Sequence, residues 1–251
     1  MAEKVESITP YADTDRDKTS QVRHMFDAIA PAYDFMNRAM TFGVDKRWRA
    51  KAVGMLAEGE PARVLDVATG TGDLAIAIAK KLPRTQVTGA DLSEQMLQVG
   101  RRKVEAAGLS DRITLSQADG TDLPFASDSF DAVSIAYGIR NFADILGGYR
   151  EMLRVLRPGG ELVVVELATP VNPLALAFYN VYTKALIPTV GRLVSKDRRA
   201  YSYLPESIKA VAQREEMLAL MEKAGFERTS FKAMTFGTCI IYKATKPTKH
   251  E

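Results

Sequence analysis

Asp66, Gly70, Thr71 and Gly72 sit together in the run Val64-Leu65-Asp66-Val67-Ala68-Thr69-Gly70-Thr71-Gly72-Asp73, which reads as a buried strand entering a glycine turn that opens a helix. Glycines without a Cβ let a ligand lie against the backbone, and the helix start offers unpaired N–H groups to a carboxylate or phosphate. A carboxylate inside a buried strand is costly unless it meets a cation or several donors. Asp66 therefore meets an ammonium group on a ligand or acts as a strand-end acid that orders the glycine loop, and the two roles can coexist. Asp91 ends the next strand-like run, where a ribose-binding acid belongs in an open α/β sheet, and its alternative role is to cap the turn before Leu92-Ser93.

Gly70-x-Gly72-x-x-Ala75 also fits the loose fingerprint of dinucleotide binders, and periodicity does not separate the two readings. Asp66 separates them. S-adenosylmethionine carries an ammonium, a carboxylate and an adenosine ribose, which suit Asp66, the Gly70 to Gly72 turn and Asp91 better than a pyrophosphate does. A third station follows at Ala118-Asp119-Gly120, with Leu123-Pro124-Phe125 beyond it. In this order the stations resemble the class I S-adenosylmethionine-dependent methyltransferases. The resemblance implies that Asp119 meets the adenine amino group, with Gly120 and apolar neighbours around the ring. Leu156-Arg157-Pro158-Gly159-Gly160 resembles the same superfamily's usual turn.

Finer motifs resemble the ubiquinone/menaquinone biosynthesis C-methyltransferases. They are Met25-Phe26-Asp27-x-Ile29-Ala30-x-x-Tyr33-Asp34-x-Met36-Asn37 continuing to Phe42-Gly43 and Trp48, then Tyr137-Gly138-Ile139-Arg140-Asn141. Arg154 to Gly160 with Glu166, and Ser202 to Ile208, complete the pattern. Thr41 stands where that family often has Ser, Asp45 where it often has His, Arg157 where it often has Lys, and Ala168 and Ala136 where Ser is common. The resemblance implies methylation of a ring carbon of a reduced, demethylated polyprenyl quinol, with demethylmenaquinol the expected acceptor. A benzoquinol precursor of ubiquinone is the close variant, and another small lipid-like acceptor is a further alternative.

Carbon methylation of a quinol requires alignment and stabilisation of phenolate character. Arg140 is the first candidate for the quinol oxygen; a guanidinium is a poor proton acceptor, so its role is phenolate stabilisation, with Asn141 orienting it. An ion pair with Glu166 is the structural alternative. Tyr33, Asn37, Tyr201 and Tyr203 are candidates for the substrate lid, which must exclude water. His24, on an apolar helix face, reads as a core or lid residue rather than a base, and His250 as tail. No metal is expected.

These residues need a frame. Short apolar runs at Arg63–Ala68, Gln86–Asp91, Ile113–Gln117, Asp131–Tyr137 and Glu161–Leu167 alternate with helix-spaced stretches at Asp73–Leu82, Ser93–Ala107 and Ala143–Leu156. Such alternation predicts a parallel sheet with right-handed crossovers. A helix over Glu206–Ala224 and strands over Phe226–Met234 and Thr238–Thr245 predict a terminal antiparallel hairpin. The expected fold is α/β, a class I methyltransferase (Rossmann-like) fold with a mostly parallel seven-stranded sheet, that C-terminal hairpin and an N-terminal helical cap. Residues 1–20 read as a flexible tail and 21–251 as one domain, with the cap at 21–60, interrupted at Pro31, and a substrate or lid insertion at 170–204.

The 251 residues carry 34 Lys plus Arg against 31 Asp plus Glu, a formal net charge of +3 that gives no electrostatic footprint for nucleic acid. One cysteine, Cys239, excludes an intramolecular disulfide and favours a reducing, cytoplasmic setting. No stretch reaches about 18 apolar residues, so no span is expected. The apolar segment Pro173–Val194, followed by Arg192, Lys196, Arg198 and Arg199, suits a groove for a polyprenyl tail with peripheral contact at the inner face of a membrane. A core helix pair or a homodimer contact is its alternative.

Overall fold

The computed structural model describes residues 5–11, 14–183 and 199–248, with side chains from 202 in the last segment. Strands β1 (Arg63–Val67), β2 (Gln86–Asp91), β3 (Ile113–Gln117), β4 (Phe130–Ala136) and β5 (Leu156–Leu167) run parallel. Strands β6 (Glu227–Met234) and β7 (Cys239–Thr245) form an antiparallel hairpin whose β7 pairs with β5. The order β3-β2-β1-β4-β5-β7-β6 reverses direction between β1 and β4, and ligands in open α/β sheets bind at such a switch point.

Alternation along each strand sends its residues to opposite faces. Leu65, Val67, Val133 and Ile135 pack with α6 (Ile145–Val155) and α9 (Glu215–Ala224) on one side. Val64, Val87, Val163 and Val165 pack with α3 (Asp45–Ala57), α4 (Asp73–Lys81) and α5 (Glu94–Ala106) on the other. Ser93 caps α5 by accepting from the Met96 N–H, as its place before the helix predicts. The cap consists of α1 (Lys18–Ile29), a short 3-10 turn through Pro31, α2 (Tyr33–Thr41) and α3; α7 (Pro173–Val181) and α8 (Arg199–Ala210) stand opposite.

Four expectations need correction. Residues 5–11 and 14–20 are not a loose tail over their described length. Val5 is fully buried in the core, Lys18 Nζ donates to its carbonyl at 2.6 Å, and Glu6 accepts from the Ile145 N–H at 2.8 Å. Burial brings the Lys18 ammonium down to about 8. The helix expected over Glu206–Ala224 is two helices, because the chain breaks at Val211–Arg214, where the Arg214 N–H is held by the Tyr242 hydroxyl at 2.9 Å. Strand β5 starts at Leu156 rather than Glu161, so the Arg157-Pro158-Gly159-Gly160 turn belongs to it. His24 is exposed and lies against the Tyr11 ring, because α1 turns Val22 and Met25 inward instead. Leu186, Ile187, Arg192, Lys196, Arg198 and His250 lie outside the described residues.

The carboxyl ends of β1 and β4 approach closely at Gly138, where a Cβ would fall 2.5 Å from the Cβ of Ala68. Alanine 68 cannot retreat, since its own backbone is fixed by the glycine loop. Gly138→Ala is expected to destabilise the fold by about 1–3 kcal/mol through overpacking, measured as a lowered urea midpoint with an unchanged slope.

Candidate active site

The glycine loop is built by two buried acids. Asp66 accepts from Thr69 Oγ1 at 2.6 Å and from Ser134 Oγ at 2.7 Å, so its two oxygens are used inside the protein. Burial pushes its carboxyl up to about 6, and the two hydroxyls oppose the shift. Of the two roles open to it, the geometry shows the ordering of the loop, and Asp66 is not on the wall of the adjoining pocket. Asp91 accepts from the Gly70 N–H at 2.7 Å and the Ser93 N–H at 2.8 Å, fixing the loop to the start of α5. Burial pushes it too up to about 6, against those two backbone donors.

Gly70, Asp91 and Gly120 line a small pocket at the switch point, with Val67, Leu92, Met96, Ala136 and Phe142. Thr71, Gly72 and Asp119 do not line it. Thr71 is buried with its hydroxyl on Asp34 at 2.5 Å, and Gly72, in the left-handed region, backs onto Gly100 across the α4–α5 contact. Asp119 accepts from the Thr121 N–H and hydroxyl and so shapes the turn that presents Ala118 and Gly120. At Gly120 a Cβ would fall 2.3 Å from Phe142, so this wall exists only without a side chain there. An acid at the β2 end, bare backbone at Gly70 and Gly120, and apolar walls between them fit the ribose and adenine of S-adenosylmethionine.

A second cavity of about 760 Å³ shares Phe26, Tyr33, Tyr137 and Asn141 with the lining of this pocket. Helices α1, α2, α3, α7 and α8 contribute to its wall, which is mostly apolar and aromatic. The predicted residues Tyr33, Asn37, Arg140, Asn141 and Tyr203 meet here; Tyr201 lies on α8, with its side chain outside the described residues. Arg140 is buried on the wall, paired with Glu166 at 2.7 Å and donating a short bond to the Tyr137 carbonyl. The ion pair with Glu166 considered for it is therefore present, at a residue that also lines the cavity. Burial works against its charge, but Glu166 and the neighbouring tyrosines outweigh it and hold the guanidinium above its usual range.

Tyr137, Tyr179, Asp45 and Arg49 also line the cavity and were not singled out as site residues from sequence. Five buried polar atoms without a hydrogen-bond partner lie on its lining residues: the hydroxyls of Tyr137, Tyr179 and Tyr203, Arg140 Nε and Asn141 Oδ1. Tyr137 has φ +59°, a strained backbone for an aromatic residue, and such strain is held where the surroundings over-determine it. Its ring stands at the junction of the two spaces.

The cap closes through charge. Lys103 binds Asp34 and Asp73, each at 2.5 Å, and donates to Thr71 at 3.0 Å. Arg49 binds Asp45 at 2.6 Å and Asp73 at 3.2 Å. Asp27 on α1 accepts from Ser93 Oγ at 2.6 Å. Asp27 and Asp34 belong to the N-terminal motif, so their fixed spacing was the available signal.

A family model described as the ubiE/COQ5 methyltransferase family matches residues 14–246. The demethylmenaquinone methyltransferase of Bacteroides fragilis is 47% identical over 241 residues, 96% of this chain and 98% of that protein. The ubiquinone/menaquinone biosynthesis C-methyltransferase UbiE of Geobacter sulfurreducens is 44% identical over 247 residues, 98% of this chain and 95% of that one. Among solved structures, the S-adenosylmethionine-dependent methyltransferase SibL superposes with a TM-score of 0.56 at 22% identity, over 74% of this chain and 50% of its own.

Ribose hydroxyls would donate to Asp91 in its ionised form. With its carboxyl near 6, a proton must leave before the ligand binds in acid, so affinity rises with pH through that value. Calorimetry with S-adenosylmethionine is expected to show about tenfold weaker binding at pH 5 than at pH 7. Asp91→Asn should bind weakly with a flat profile, and a flat wild-type profile would contradict the role.

Proposed function

The chain belongs to the ubiE/COQ5 methyltransferase family, and we propose that it methylates a ring carbon of demethylmenaquinol to give menaquinol. Family and fold together make it an S-adenosylmethionine-dependent methyltransferase. The observation that carries the acceptor class is the large, mostly apolar cavity beside the glycine-loop pocket, whose polar lining includes Arg140, the tyrosines, the asparagines, four threonines and the Asp45–Arg49 pair. It suits a flat aromatic ring with oxygen substituents and an apolar tail. The names of the two relatives favour a naphthoquinol, and that of UbiE also keeps a benzoquinol as the second reading.

Gly70, Asp91 and Gly120 would hold S-adenosylmethionine, which supplies an electrophilic methyl group on a sulfonium. Arg140, held by Glu166 on the cavity wall with its Nε buried and unpartnered, would stabilise negative charge on a quinol oxygen. Loss or polarisation of that hydroxyl proton raises electron density on the ring carbons. Tyr33, Tyr137 and Asn141 line both spaces and would set the ring against the methyl donor where the two meet. Cap helices α1 and α2 keep water out.

The rim of the cavity is apolar and open to solvent: Phe42 is 75% exposed, Leu174 78%, Phe178 82% and Phe236 85%. An exposed apolar rim around a cavity suited to a lipid fits peripheral docking on a membrane, from which a polyprenyl quinol would enter. No described helix is long and apolar enough to cross one.

Under anaerobic conditions, labelled S-adenosylmethionine offered with both reduced acceptors is expected to give carbon-methylated naphthoquinol in excess over benzoquinol, read by mass spectrometry. An excess of the benzoquinol product would move the assignment to the ubiquinone pathway, and no product with cofactor bound would refute both. Arg140→Lys keeps the charge beside Glu166 but loses Nε, and is expected to lower kcat about 10–100-fold with cofactor affinity unchanged. Phe42→Asp combined with Phe178→Asp is expected to reduce co-sedimentation with phospholipid vesicles about tenfold or more, since each exposed aromatic contributes about 2 kcal/mol on burial.

A further inference from the structure

Among the described residues lining the large cavity, Asp45 is the one acid. It is 2% exposed, at the start of α3, with Oδ1 accepting from Thr41 Oγ1 at 2.8 Å and Oδ2 from Arg49 Nη2 at 2.6 Å. Each carboxylate oxygen has a second lone pair, so Asp45 can still accept. Arg49 divides its guanidinium between Asp45 and Asp73, which leaves Asp45 incompletely neutralised.

The cavity thus has two poles of opposite character. At one, Arg140 donates; at the other, Asp45 accepts. Tyr137 joins them, because its carbonyl takes the Arg140 bond while its buried, unpartnered hydroxyl lies within electrostatic reach of Asp45 and Arg49. One tyrosine therefore meets the Arg140 pole through its carbonyl and the Asp45 pole through the field at its hydroxyl.

We propose that Asp45 determines specificity for the reduced ring, accepting a hydrogen bond from the hydroxyl para to the oxygen held by Arg140. A quinone carbonyl has no proton to offer there. It would set one acceptor against another in a buried site, which costs more than the loss of a contact exposed to water. Charge at the Arg140 pole can develop on one oxygen while the other stays protonated and fixed. The inference rests on the quinol reading of the cavity, and its test uses binding alone.

Trp48 is the single tryptophan of the chain and lines the cavity beside Tyr137, so its fluorescence reports occupancy without methyl donor or turnover. The probes are 1,4-naphthalenediol under anaerobic reducing conditions and 1,4-naphthoquinone without reductant. Wild type is expected to bind the diol at least about tenfold more tightly. Asp45→Asn should bring the two affinities within about threefold, mainly by weakening the diol, and Asp45→Glu should keep the preference. Asp45→Asn with Arg49→Gln removes both charges, leaves Asp73 on Lys103, and provides the same comparison should the single variant not fold. Equal wild-type affinities, or a folded variant without the carboxylate that keeps the wild-type ratio, would overturn the proposal. Failure of the quinol reading itself would appear separately, as absent methyl transfer.

Discussion

Three carboxylates and two cations hold the cap on the sheet, and the cavity exists because they do. Asp34 from α2 and Asp73 from α4 share Lys103, while Asp73 and Asp45 share Arg49. Ion pairs of this kind contribute little net stability when exposed, but losing one partner of a buried pair costs about 3–5 kcal/mol because a charge is left uncompensated. The pairs therefore specify a position more than they strengthen the fold. They set α2 against Thr71 of the glycine loop and α3 along the cavity wall, so the cofactor pocket and the acceptor cavity share one boundary.

Within that boundary, polar groups are few and placed at the junction. Arg140 is fixed by Glu166 at the end of β5 and by the carbonyl of Tyr137 just past β4, so two neighbouring strands jointly hold it. Burial makes each unpartnered hydroxyl costly, and a cavity that carries several of them is adapted to a ligand with matching oxygens. The surrounding Met and Phe side chains accept shape variation, which suits a ring bearing a long apolar substituent.

The strands, the crossover helices and the terminal hairpin were legible because period-2 and helical spacing report burial directly, and the sheet's interior leaves little freedom. Arg140, Asn141, Tyr33, Asn37 and Tyr203 could be found because they stand in compact motifs. Other assignments depended on where a side chain turns. Asp66 was open to a ligand, to the loop or to both, and the loop-ordering bonds come from the hydroxyls of Thr69 and of Ser134, the latter 68 residues away. Asp45, Arg49 and Tyr179 reach the cavity only once α3 and α7 are docked, and no local spacing announces that. Val5 and Lys18 read as solvated tail because their burial comes from contacts formed across the fold.

On the proposed function, the large cavity presents the acceptor ring to the methyl donor where Tyr33, Tyr137 and Asn141 line both spaces. A crystal structure with S-adenosylhomocysteine and 1,4-naphthalenediol, grown anaerobically, tests it most directly. The nucleoside is expected over Asp91 and Gly120, and the ring in the large cavity with one oxygen on Arg140 and a ring carbon facing the sulfur between Tyr33, Tyr137 and Asn141. A ring bound elsewhere, or a closed wall between ring and sulfur, would contradict it.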